Sequence, residues 1–297
     1  MVVAKGATRT TIAPALDHPG LRLSAAELIA LRPAPHASRQ RPASRRPGAI
    51  AARVAGQGMD LREIRAFSDG DDMRRIDPAA TARTGQLHVR SFHEDRDDTT
   101  LLVADFRHAM LWGTGAALRS VRSARLLAQI GWQAVARGGS VAVMAVGDQG
   151  MQTVNAGTGA VQMQSVAALL AQAHDGALAR ASHGRGLETG TEGGLAPALA
   201  QALRMTPPGG QIHLATGPDG LDGAEPGLLR LAKGRAMAVH VILDPAETAP
   251  PPNVVTVRHG HSTRHGRLTP YDALPLLTHL RGLGLAAFSV APDEQAP

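Results

Sequence analysis

Residues 99–148 read TTLLVADFRHAMLWGTGAALRSVRSARLLAQIGWQAVARGGSVAVMAVGD. The opening run, TTLLVAD (99–105), and the closing run, SVAVMAVGD (140–148), are apolar at odd and even positions alike. That is the pattern of strands covered on both faces. Between them, 118–138 places Val121, Leu126 or Leu127, Ile130 and Val135 near helical spacing. Strand, helix and strand in this order form a parallel pair with a right-handed crossover. The alternation continues to the C-terminus. Helices are expected at 160–173, 195–206, 225–235 (opened by Pro226) and 271–284, and strands at 211–216, 236–244 and 285–290. The fold class is therefore α/β, a doubly wound, mostly parallel sheet of Rossmann type. Sites in such sheets lie beyond the C-terminal ends of the strands. Asp105, the last residue of the first strand, is the first candidate.

The chain has 297 residues, of which 43% are hydrophobic, ample for a core. It has no cysteine, which excludes disulfides, zinc–thiolate sites and a thiol nucleophile. The N-terminus shows no apolar signal-peptide core, and no apolar run approaches the roughly 20 residues of a membrane span. A soluble, cytoplasmic protein is expected, meeting membranes only indirectly through partner proteins. The charge is unevenly placed. Residues 1–55 hold nine Lys/Arg and two acids, a net +7, which leaves the rest of the chain at −1. Such a segment reads as a basic arm, and nucleic-acid binding through it is the alternative function. Only 2% of residues are aromatic, which speaks against base-stacking platforms.

Four regions follow: a basic N-terminal arm and linker (1–55), a charged block (56–98), the α/β domain (99–291) and a tail (292–297). Within the arm, 21–32 reads as a short helix capped by Ser24 with Glu27 three residues on. The block's 66–98 stretch carries seven Asp and one Glu against five Arg. Its short alternating runs, such as LHVRSF, read as strands around turns at Asp69-Gly70 and Thr84-Gly85, giving a small β-rich unit.

Motifs for common chemistries fail. There is no Walker phosphate loop and no G-x-S-x-G elbow. Gly282-x-Gly284-x-x-Ala287 leads from helix to strand, the reverse of a dinucleotide turn. Counted as a calcium loop from Asp69, the twelfth position is Ala80 rather than Glu. His259, His261 and His265 share a loop, but neighbouring arginines repel a cation there and no carboxylate is close in sequence.

The block reads GQGMDLREIRAFSDGDDMRRID (56–77) and ATARTGQLHVRSFHED (80–95). In these words the chain resembles the bacterial domain of unknown function 58 family. Arg65 and Phe67 stand at the family's Arg-x-Tyr, and Gly70-Asp71-Asp72, Arg75-Ile76-Asp77 and Ala82-Arg83 match. Pro78 replaces a Trp. The resemblance is specific over roughly 50–125 and extends to the C-terminus by strand order. It implies a von Willebrand factor A-like domain and a link to MoxR-type AAA+ ATPases in assembling or maturing other protein complexes. Arg65, Asp71, Asp72, Arg75, Asp77 and Arg83 are then interaction or structural residues. Arg75 with Asp77, and Arg83 with Asp71 or Asp72, are the expected ion pairs.

Von Willebrand A domains usually bind Mg²⁺ through Asp-x-Ser-x-Ser, a Thr and a further Asp. Here the first element is Asp105-Phe106-Arg107-His108-Ala109, with both hydroxyls gone. Thr189 or Thr191 stands for the Thr. The further Asp falls near Gly217, with Asp219 and Asp222 beyond it. The resemblance thus implies a degenerate site around Asp105, Arg107, Ala109 and Thr191. Arg107, two residues on in the same loop, or another nearby arginine is expected to answer the Asp105 charge in place of a metal. The expected protein is a non-enzymatic adaptor with no cofactor, no metal and no small-molecule substrate. Its partners are a MoxR-type ATPase and a client complex.

Overall fold

The computed structural model describes residues 16–33, 55–68, 71–93, 98–182, 194–259 and 262–292. The helices are α1 (Ala25–Ala30), α2 (Pro78–Thr84), α3 (Arg119–Ala136), α4 (Gly159–Ser182), α5 (Leu195–Met205), α6 (Glu225–Ala232), α7 (Pro245–Thr248) and α8 (Leu274–Gly282). The strands are β1 (Ala55–Ala66), β2 (His88–His93), β3 (Thr99–Asp105), β4 (Ser140–Gly147), β5 (Gly150–Thr158), β6 (Gln211–Thr216), β7 (Ala236–Ile242), β8 (Val255–His259), β9 (Ser262–Gly266) and β10 (Ala286–Val290). They fall into two compact units, Met1–His36 with Thr99–Pro297, and Ala37–Asp98.

The larger unit is built on a six-stranded sheet of order β10-β7-β6-β3-β4-β5. All neighbours are parallel except β5, which runs antiparallel to β4. Central β3 is buried along its whole length. Its side chains alternate between two cores. Leu102 and Ala104 pack with α1, α3 and α4 on one face, through Leu28, Val121, Leu127 and Leu170. Leu101 and Val103 pack with α5, α6 and α8 on the other, through Leu199, Leu228 and Leu277. The expected α/β, mostly parallel architecture is present, with helices on both faces.

Several elements differ from expectation. The sequence reading contains no β5. It is an edge strand, largely exposed, and pairs with β4 through its backbone rather than through an apolar run. Where a loop was expected, β8 and β9 pair antiparallel, from Val255 with Gly266 to His259 with Ser262. In the smaller unit, β1 and β2 pair antiparallel with α2 between them. Asp77 caps α2, Pro78 stands in its first turn and Gly85 closes it at φ +72°. Those are ordinary helix start and stop signals.

The arm is corrected at residues 16–33, which belong to the α/β core. Leu23 and Leu28 are buried. The Trp132 indole donates to the Leu28 carbonyl at 3.0 Å. Arg22 pairs with Asp175 at 3.1 Å, and Glu27 with Arg125. Ser24 caps α1 as expected, accepting from the Glu27 amide at 3.1 Å. Two of the segment's bases thus act within the fold, because the Arg32 guanidinium also lies over the Trp132 ring. Lys5, Arg9, Arg39, Arg41, Arg45, Arg46 and Arg53 lie outside the described residues. Removing residues 1–47 would strip the core as well as the charge.

Burial pushes the imidazoles of His174, His213 and His240 down to about 4. The charge of His240 adds to the depression at His213. All three are neutral in the fold and ionise near 6.5 when unfolded. Their contribution is complete above pH 6.5 and is lost as pH falls from there through about 4, where the unfolded chain takes up protons the folded chain refuses. For the fully buried His174 the loss is roughly 3 kcal/mol. Melting temperature is therefore expected to fall over this window. His174→Gln keeps a polar group for the Ser120 hydroxyl, now 3.0 Å from the His174 Nε2, and should flatten the profile. An unchanged profile in that variant would remove His174 as a cause.

Candidate functional site

The C-terminal end of β3 lies between the ends of β4 and β6, so Asp105 emerges in the middle of the sheet edge. It is 1% exposed. A buried carboxylate is costly unless charge-paired and fully hydrogen-bonded. Asp105 is both. Its Oδ1 accepts from the Arg107 backbone amide at 3.0 Å and from Arg107 Nε at 2.9 Å. Its Oδ2 accepts from Arg107 Nη2 at 2.7 Å and from the Thr216 hydroxyl at 2.6 Å. Arg107 Nη2 donates again, to the Gly220 carbonyl at 2.9 Å. This is a two-pronged guanidinium–carboxylate pair, the strong geometry for such groups. Burial alone would lower the Arg107 pKa. The Asp105 hydrogen bonds, with the charges of Asp105, Asp148 and Asp219, raise it above its ordinary value instead.

A second group of charges surrounds this pair. Asp148 accepts from the His108 amide at 3.1 Å. Arg119, itself buried, lies 4.8 Å from the Trp112 ring centre and pairs with Asp219 at 3.4 Å and with Glu247. Asp244, fully buried, caps α7 and accepts from the Thr114 amide at 2.9 Å and from the Thr114 hydroxyl. The sheet edge is thus a hydrogen-bonded lattice of acids and arginines.

The donor set does not fit Mg²⁺. Such an ion takes oxygen ligands in near-octahedral order. Here both Asp105 oxygens already accept from protein donors, and a guanidinium occupies their fork. Phe106 and Ala109 bring no side-chain oxygen. Thr189 and Thr191 lie outside the described residues. Asp219 faces Arg119 instead of Asp105. Among the described residues, no three of His, Asp and Glu gather as a metal-binding group.

In the smaller unit the expected residues act as structural locks, with partners other than those expected. Asp71 accepts from Arg65 at 2.6 and 2.9 Å and from the Ser68 amide at 2.8 Å. These bonds, Arg65 first, hold its carboxyl below the usual range. Asp72 caps a single 3-10 turn over Met73–Arg75. Asp77 accepts from the Ala80 amide at 2.7 Å and from Arg90 Nε at 2.7 Å, and these lower its pKa in that order. Arg90 thus partners Asp77, because β2 returns alongside the cap. Arg83 is exposed on the last turn of α2, away from Asp71 and Asp72. Gly70 lies outside the described residues. Of the three loop histidines, His261 lies outside them too, His259 ends β8, and the ring of His265 bonds the Thr256 hydroxyl at 2.8 Å.

The sequence reading missed Thr216, Gly220, Arg119 and Asp244. Asp244 was findable, since Asp-Pro followed by Glu247 is a capping box. Gly220 was not, because its role is closeness. A Cβ there would lie 2.0 Å from the Thr216 hydroxyl, 3.0 Å from Arg107 Nη2 and 3.1 Å from Asp105 Oδ2.

The family model described as "Protein of unknown function DUF58" matches residues 63–213, just over half of the chain. The chain belongs to the DUF58 family. Uncharacterised proteins of Mycobacterium tuberculosis and Mycobacterium bovis are 43% identical to it over 61 residues, 20% of this chain and 19% of theirs. The match therefore spans about a fifth of the length of these curated relatives. Among solved structures, the conserved hypothetical protein BatB of Bacteroides thetaiotaomicron is similar at 15% identity and a TM-score of 0.41, covering 65% of this chain and 89% of that one. The DUF58 match begins within β1 and ends within β6, so it includes both Asp71–Asp77 and the Asp105–Arg107 pair.

Gly220→Ala should force the Arg107 and Thr216 contacts apart and lower stability by about 2 kcal/mol. Gly266→Ala, where a Cβ meets open space on exposed β9, should change it by no more than about 0.5 kcal/mol. Equal melting curves for the two variants would show that the Asp105 cluster is not tightly packed.

Proposed function

We propose that this DUF58 protein is a non-enzymatic adaptor whose larger unit is von Willebrand factor A-like, and that it works with a MoxR-type AAA+ ATPase in assembling or maturing another protein complex. The observation that carries this reading is the chemistry at the sheet edge. An α/β sheet presents its reacting or ligating groups at the strand C-termini. Here that position holds a carboxylate whose four hydrogen bonds come from Arg107 and Thr216. Such a carboxylate has no free lone pair aimed outward for a proton or a cation. What the edge offers is a fixed array of charged side chains around the exposed ring of Trp112, which is the material of a protein-docking surface. The strand order, with β3 and β6 adjacent at the crossover point, agrees with a von Willebrand A-like arrangement. No helix among the described residues is long and apolar enough to cross a membrane. The locked hairpin of the smaller unit gives the family a second rigid surface.

The experiment mixes the full chain with the MoxR-type ATPase of the same organism and follows the complex by size-exclusion chromatography with light scattering. A complex is expected, with ATP turnover coming from the ATPase alone. If the chain instead fails to bind the ATPase and binds duplex DNA at physiological salt, the nucleic-acid reading replaces this one.

A further inference from the structure

Beneath α4, at the turn end of the β4–β5 hairpin, lies a cavity of about 120 Å³. Its wall includes Phe106, Gly147, Gln149, Gln152 and Arg180. The strand register explains the grouping. Gly147 faces Gly150, Ala145 faces Gln152, and α4 covers that face. The space holds about four waters, or one carboxylate with its adjoining methylene.

Arg180 is the cation of this cavity. It is partly buried and makes no hydrogen bond or ion pair among the described residues. Its guanidinium lies close to two glycines that leave it room. A Cβ on Gly147 would lie 3.5 Å from one terminal nitrogen, and a Cβ on Gly176 would lie 3.4 Å from the other. The group is therefore seated between the end of β4 and its own helix. Other arginines of this unit behave differently, since Arg22, Arg107, Arg119 and Arg125 each meet a carboxylate. A guanidinium cannot shed its proton, and it brings five N–H donors. Asp148, beside Gly147 in the chain, accepts from the His108 amide and lends its charge to Arg107. The donors of Arg180 remain for an acceptor from outside.

We infer that this cavity receives one carboxylate from an Asp or Glu side chain of a partner protein, with Arg180 as its two-pronged donor. Gln149 and Gln152 add carboxamides to the same wall, and Phe106, Ala145 and Ala173 supply an apolar bed for the methylene. The planar fork of Arg matches a carboxylate. A phosphate dianion is disfavoured, because it would meet a single guanidinium with Asp148 close by. The inference rests on the docking reading above and names the partner chemistry it requires.

The test is an amide NMR titration of the full chain with sodium acetate against sodium chloride at constant ionic strength. Saturable shifts are expected at Gly147, Gly150 and Gln152. They should vanish in Arg180→Gln and persist in Arg204→Gln, whose guanidinium sits by Gln201 on α5. Arg180→Gln should melt like the parent, because no bond within the fold is lost. Four results would overturn the inference: no saturable shift, shifts that survive Arg180→Gln, stronger binding of inorganic phosphate than of acetate, or a lower melting temperature for Arg180→Gln. Because acetate is titrated into the chain alone, this outcome is separable from the ATPase experiment. An intact ATPase complex without acetate binding removes the cavity inference only, and acetate binding without a complex removes the adaptor reading only.

Discussion

A carboxylate 1% exposed at the end of the central strand is the constraint on which the sheet edge depends. Left alone, a buried carboxylate carries a large desolvation cost. Arg107, two residues on, turns back and grips both oxygens, which offsets it. That bend fixes the loop after β3. Thr216 at the end of β6 and the carbonyl of Gly220 then complete the arrangement. Three separate segments are thereby tied to one charge pair. The absence of a side chain at Gly220 is what permits the approach.

The same economy recurs around the edge. Arg119 is held by Glu247, Asp219 and the Trp112 face, and Asp244 by Thr114 and its own helix start. Buried polar networks of this kind stiffen as their members find partners; here, among the described residues, Arg119 Nε is the buried donor left over. A charged edge held this way is the surface on which the proposed docking role rests. Arg180, beside a small cavity, lies outside this network, and is where a partner's acid would add to it.

Much of the larger unit was legible in the sequence because its strands are buried on both faces. TTLLVAD and SVAVMAVGD carry unbroken apolar runs, QIHLAT a shorter one interrupted by His213, and the intervening segments carry helical spacing. What escaped has physical reasons. β5 is an exposed edge held by backbone bonds, so it leaves little apolar signal. Residues 16–33 were masked by their arginines, although Leu23 and Leu28 were the informative residues and Trp132 their receptor. In α2 the Asp77-Pro78 start went unused, and the glycine stop at Gly85 was read as a turn. Charge pairs were legible as a type and not as partners. Asp77 and Arg90 meet only because β2 folds back alongside the cap. By contrast, Asp105 and Arg107 are so close in sequence that their meeting needed only the strand end between them.

The central claim is that a guanidinium, not a metal ion, answers the Asp105 charge. Calorimetric titration of Mg²⁺ into the unmodified chain tests it most directly. The account predicts no saturable heat beyond dilution. A stoichiometric Mg²⁺ isotherm that disappears in Asp105→Ala would contradict it and place a cation where Arg107 now lies.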